Sequence, residues 1–122
     1  MARVTFTVGN EVVVSEWRDT ETARRLLAAL PLTATGSYWG GELYFGVPVK
    51  AAPEADATEV VEPGTVAFWT EGSCLCLFWG PTPASRGDEC RAASSVNIVG
   101  RVTNPEALTR LKGRTVAVAA VV

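Results

Sequence analysis

The chain has 122 residues, 48% of them hydrophobic, with a mean hydropathy of +0.17, which is one domain with apolar side chains enough for an ordinary core. Eleven Lys and Arg against thirteen Asp and Glu leave a net charge of −2; no element concentrates the cations, which argues against nucleic acid or an anionic membrane as partner. The absence of histidine removes Ser-His-Asp and Cys-His nucleophilic pairs, His-rich zinc sites and an imidazole base.

No apolar run reaches the length of a membrane span. The N-terminus enters a strand pattern without a hydrophobic leader or cleavage site, and an odd number of cysteines, three, argues against a disulfide framework. A cytoplasmic, compact protein is expected.

Arg3 to Val8 and Glu11 to Trp17 flank Gly9-Asn10, a pair that accepts positive φ and closes a hairpin. Asp19 to Pro31 then changes period. Ala23, Leu26, Leu27 and Leu30 share one face, Asp19 or Thr20 caps the start and Pro31 ends it, so a helix of about three turns is expected. From Leu32 to Val49 strand signals return. Period two sets Glu42 and Tyr44 on one face of a strand and Leu43 and Phe45, the core pair, on the other. Lys50 to Glu62, rich in Ala, Pro, Glu and Asp, reads as an exposed connection. Glu62-Pro63-Gly64-Thr65 fits a type II turn.

Val66 to Pro83 is the stretch around which the chain is organised. It reads as two strands joined by a turn at Thr70 to Ser73, and Cys74 to Trp79 is six consecutive apolar residues. A strand with one wet face would alternate, so this one is expected to be buried on both sides. Ala84 to Arg91 is a polar loop, Val96 to Val102 the next strand, and Asn104 to Gly113 a second helix with an Asn cap and Pro in its first turn. Thr115 to Val122 closes the chain. Eight or nine strands with two short helices suit a sandwich or barrel, each helix plugging one end.

Pro63-Gly64, Val66-Ala67-Phe68-Trp69, Cys74 through Pro83, Ser94 through Val102 and Tyr38 through Phe45 together resemble a family of small bacterial and archaeal proteins with a cyclophilin-like fold and no assigned function. The resemblance implies a mainly β fold, a closed eight-stranded barrel capped by two short helices. It also invites comparison with the prolyl isomerases of that fold. Val99-Gly100-Arg101-Val102 followed by Asn104 is similar to their strand-to-helix segment, and their groove His falls on Val96 here. Their catalytic Arg and groove segment find no match, so no catalytic residue is assigned.

Two readings stand for each polar constellation. Glu42 and Tyr44, beside Trp39 and after Gly40-Gly41, form either a ligand site with a carboxylate behind an aromatic wall or a solvated outer face. Thr82, in the Gly80 to Pro83 exit, with Ser94 and Asn97, binds a polar ligand or satisfies backbone groups. Cys74, Cys76 and Cys90 lack the spacing of a zinc site and read as buried hydrophobes, Cys90 the most exposed. Neither metal nor cofactor is expected. The expected function is a non-catalytic small-molecule or peptide-binding module using Trp39, Glu42, Tyr44, Trp69, Thr82, Ser94 and Asn97. The alternatives are a degenerate isomerase or carboxylate-based enzyme and a homodimeric interaction domain.

Overall fold

The computed structural model describes residues 1–121. β1 (Ala2–Val8) and β2 (Glu11–Trp17) pair through the expected turn, in which Gly9 takes a φ of +59°. The first helix, α1, is Glu21–Ala28, just over two turns. The Thr20 hydroxyl accepts from the Ala23 N–H and so caps it, and Ala23 and Leu26 are fully buried. β3 (Leu32–Thr35), β4 (Ser37–Tyr38) and β5 (Glu42–Gly46) follow.

Lys50 to Glu62 is not wholly a connection. Its end forms β6 (Thr58–Val61), which pairs with β9 and buries Val61. Only one of its four side chains faces the core, and this left the stretch without an apolar pattern. β7 (Thr65–Trp69) enters through the Pro63-Gly64 turn, where Gly64 has a φ of +89° and the Thr65 N–H donates to Glu62 O at 3.2 Å. β8 (Cys74–Phe78) is its hairpin partner. β9 runs thirteen residues, Cys90–Val102, rather than starting at Val96. The second helix is a six-residue 3-10 turn, Pro105–Arg110, and Asn104 does not cap it. The Asn104 side chain instead ties to β2, accepting from Val14 N–H at 2.8 Å and donating to Val12 O at 2.9 Å. β10 (Thr115–Ala120) ends the described fold.

One antiparallel sheet holds all ten strands in the order β3-β10-β1-β2-β9-β7-β8-β5-β4, with β6 paired to β9 beside that path. The expected closed eight-stranded barrel is therefore corrected: there are ten strands, and no ladder among the described residues joins β3 to β4. The two ends meet through the chain, since only Gly36 separates Thr35 from Ser37. Gly36 donates to Arg114 O at 2.6 Å, and a Cβ there would press on Leu43 and Val116. The backbone is pinched at that point, and one extended stretch becomes two edge strands.

β8 has both faces buried, as its unbroken apolar run required. Leu75 and Leu77 enter the main core with Phe6, Trp17, Leu43, Phe45, Phe68 and Leu108, inside the curled sheet. Cys74, Cys76 and Phe78 point the other way into a second core with Val61, Ala67, Cys90, Ala92 and Val96. The first half of β9 and β6 thus cover the back of the central hairpin. Each large side chain so buried contributes about 1.5–3 kcal/mol.

Candidate functional site

The cover on that second face is incomplete. A cavity of about 180 Å³ lies there, lined by Trp39, by Glu42 and Tyr44 of β5, by Trp69 of β7, by Cys76 of β8, and by Ala92, Ala93 and Val96 of β9. Its origin is steric. Glu42, Tyr44 and Cys76 share a face because Tyr44 pairs with Cys76 and Glu42 lies two residues away. β9 answers these larger groups with Ala92 and Ala93, too small to fill the space.

Trp69 is held on two sides. Its indole N–H donates to Ser94 Oγ at 2.6 Å, and its ring packs on Gly72, where a Cβ would collide with it. The Trp39 backbone is held by its main-chain N–H, which donates to Glu42 O at 2.9 Å. The Gly40-Gly41 pair serves the fold rather than an approaching ligand: Gly41 N–H donates to Pro81 O at 2.7 Å and Gly41 O accepts from Trp79 N–H at 2.8 Å. A Cβ at either glycine would strike the Gly80-Pro81-Thr82 backbone, so this close crossing sets where Glu42 enters the cavity.

Glu42 is 5% exposed, and no guanidinium or ammonium pairs with it among the described residues. Desolvation pushes its carboxyl up to about 7, with the neighbouring Cys76 thiol pulling it slightly back. The thiol in turn is raised well above its ordinary range by burial and by the Glu42 charge. A thiol so placed stays protonated at neutral pH and is no nucleophile. The arrangement offers a shielded carboxyl that changes charge near neutrality, set among aromatic rings.

Four of the seven residues singled out from the sequence, Trp39, Glu42, Tyr44 and Trp69, line this cavity together. Ser94 stands behind it, orienting Trp69. Thr82 is elsewhere, buried in the rim loop, where its hydroxyl donates to Arg91 O. Asn97 is on the opposite side of β9 from Val96. It donates to Thr22 Oγ1 at 2.9 Å and Ala52 O at 3.0 Å and accepts from Glu54 N–H at 2.9 Å, which makes it a tie between α1 and the segment before β6. Cys90, expected to be the most exposed cysteine, is 2% exposed because β9 begins there and pairs it with Val61. Sequence reasoning missed Cys76, Ala92, Ala93 and Val96. The signal available was the Ala92-Ala93-Ser94-Ser95 run, small residues that read as loop until they face tryptophans.

No group of three or more His, Cys, Asp or Glu side chains placed to hold a metal ion occurs among the described residues. No helix among them is long and apolar enough to cross a membrane.

A family model described as Cyclophilin-like matches residues 2–119. Among solved structures, a hypothetical protein from Archaeoglobus fulgidus, determined in solution, is similar at 34% identity and a TM-score of 0.82, covering 97% of this chain and 93% of that one. No curated protein matches the sequence.

Proposed function

We propose that this chain, which belongs to the cyclophilin-like family, is a non-catalytic binding module whose ligand, a small molecule, occupies the cavity between β5, β7, β8 and β9. The single observation that carries this reading is Glu42, an almost fully buried carboxyl opening onto an aromatic cavity with no cationic partner among the described residues. Folding gains nothing from such a group and loses stability to its desolvation. A ligand that supplies the missing partner gives the burial a use.

Size supports a small guest. Apolar cavities of about 150 Å³ accept a benzene-sized molecule, and this one is about 180 Å³. Chemistry favours binding over turnover. The lining offers one carboxyl, one tyrosine and a protonated thiol, and Val96 stands where the ungapped comparison sets the isomerases' groove His. No arginine is among the lining residues to donate to a prolyl amide.

Screening a library of small neutral and charged organic compounds by intrinsic tryptophan fluorescence tests the proposal, because Trp39 and Trp69 report from the cavity. Ala93 lines the cavity yet is an exposed residue, so Ala93→Phe is expected to obstruct the space without disturbing the core. Compounds that shift the emission of the wild type and fail to shift that of folded Ala93→Phe support the site. A library without such compounds contradicts it.

A further inference from the structure

We infer that the ligand of this cavity is a small organic cation with an ammonium head, surrounded by the rings of Trp39, Tyr44 and Trp69 and neutralised by the Glu42 carboxylate. The inference rests on reading the cavity as a binding site and adds the charge and kind of the guest.

Elimination starts from the lining. An anion would meet the Glu42 carboxylate with no positive group to offset it. A neutral apolar guest would fill the space and leave that carboxyl more desolvated than before. A hard divalent cation needs six or more oxygen ligands, or several with retained water, whereas the lining provides one carboxylate among alanines, a valine and aromatic rings. A weakly hydrated cation that prefers ring faces to water satisfies both the carboxylate and the aromatic lining. Ammonium groups bearing alkyl substituents are of this kind, and aromatic side chains attract them through the ring quadrupole.

The surroundings leave the place for a positive charge open. The titratable side chains that couple to Glu42 or line the cavity with it are Cys74 and Cys76 on β8 and Tyr44 on its own strand, and none is cationic. β7 presents Trp69 and β9 presents Ala92, Ala93 and Val96, all uncharged. Arg91, the cation nearest in sequence on β9, is engaged by Glu89 at 3.0 Å and Glu59 at 3.4 Å. Ser94 is committed to the Trp69 indole. An incoming ammonium therefore displaces no existing ion pair.

Charge balance makes the prediction sharper. In the free protein the Glu42 carboxyl releases its proton only near pH 7. Binding a cation favours the carboxylate, so below that pH the proton leaves as the cation enters, and affinity weakens as the solution becomes more acidic.

The test compares choline with its uncharged carbon analogue, tert-butylethanol, by tryptophan fluorescence titration at constant ionic strength. Choline is expected to bind at least about tenfold more tightly than the alcohol at about pH 8, and its affinity to fall by up to about tenfold per unit below about pH 7. Glu42→Gln, nearly isosteric, is expected to lose both the preference and the pH dependence. Equal affinity for the two probes in the wild type, or a preference for choline that survives in folded Glu42→Gln, overturns the inference while leaving the binding site in place. If neither probe binds but neutral compounds from the library do, the charge assignment falls alone. If no compound of any class shifts the emission, both readings fall.

Discussion

Glu42 shows what one side chain's environment does to a protein's pH response. Its carboxyl ionises at about 4.5 in the unfolded chain and about 7 in the folded one, chiefly through desolvation. Below about 4.5 it is protonated in both states and imposes no charge penalty. Between the two values the unfolded chain ionises first, so stability falls as pH rises and levels off above about 7. The displacement is worth about 2–3 kcal/mol after allowance for residual solvent screening. Thermal or guanidinium denaturation between about pH 3.5 and about pH 8 checks this, with Glu42→Gln expected to gain about that amount over the wild type at the alkaline end and nothing at the acid end. Comparing the two proteins cancels other carboxyls, among them Glu89, which is held down to about 2 by the Arg86 N–H and by Arg91 and has the opposite sign. The sequence marked Glu42 by period two and by its aromatic neighbours. It could not show how deeply the carboxyl is buried, because that depends on the Gly40-Gly41 crossing with Gly80 and on the far half of β9.

At the level of elements, local pattern was readable where one strand face is uniformly apolar and was hidden where it is not. The β1–β2 hairpin, the Gly64 turn and the two-sided burial of β8 followed from turn chemistry and from an unbroken apolar run. β6 and the first half of β9 did not: of β6 only Val61 is buried, and Ala92-Ala93-Ser94-Ser95, all small residues, lie in a register shift between the pairs Arg91↔Val60 and Val96↔Thr58 that hold the two strands together over the back of the hairpin. Asn97 belongs to this scale, because it holds an element in place. All three of its hydrogen bonds cross to α1 or to the segment before β6, and it is fully buried. Asn97→Ala leaves Ala52 O and Glu54 N–H without that partner and is expected to cost about 2–4 kcal/mol. Denaturant unfolding measures the loss, and amide exchange at Glu54 is expected to accelerate more than exchange in β1. An unchanged midpoint would show that water replaces the asparagine at no cost.

The whole molecule is a mainly β, cyclophilin-like fold, legible from the spacing of strands and from the signature segments around Trp39, Trp69, Trp79 and Gly100. Closure was the part that did not follow. Whether Leu32 to Tyr38 makes one strand or two depends on Gly36 being squeezed between β5 and β10, a contact between residues far apart in the chain. The same non-local packing creates the cavity, which exists because β9 turns back over β8 with alanines facing tryptophans. That this outer-face cavity binds a small organic cation is tested over the entire chain at once by an amide chemical-shift map of the uniformly labelled protein during a choline titration. Saturable shifts confined to Trp39, Glu42, Tyr44, Trp69, Cys76 and the Ala92–Val96 stretch are the predicted result. Saturable shifts centred elsewhere, or none at any choline concentration, would contradict it.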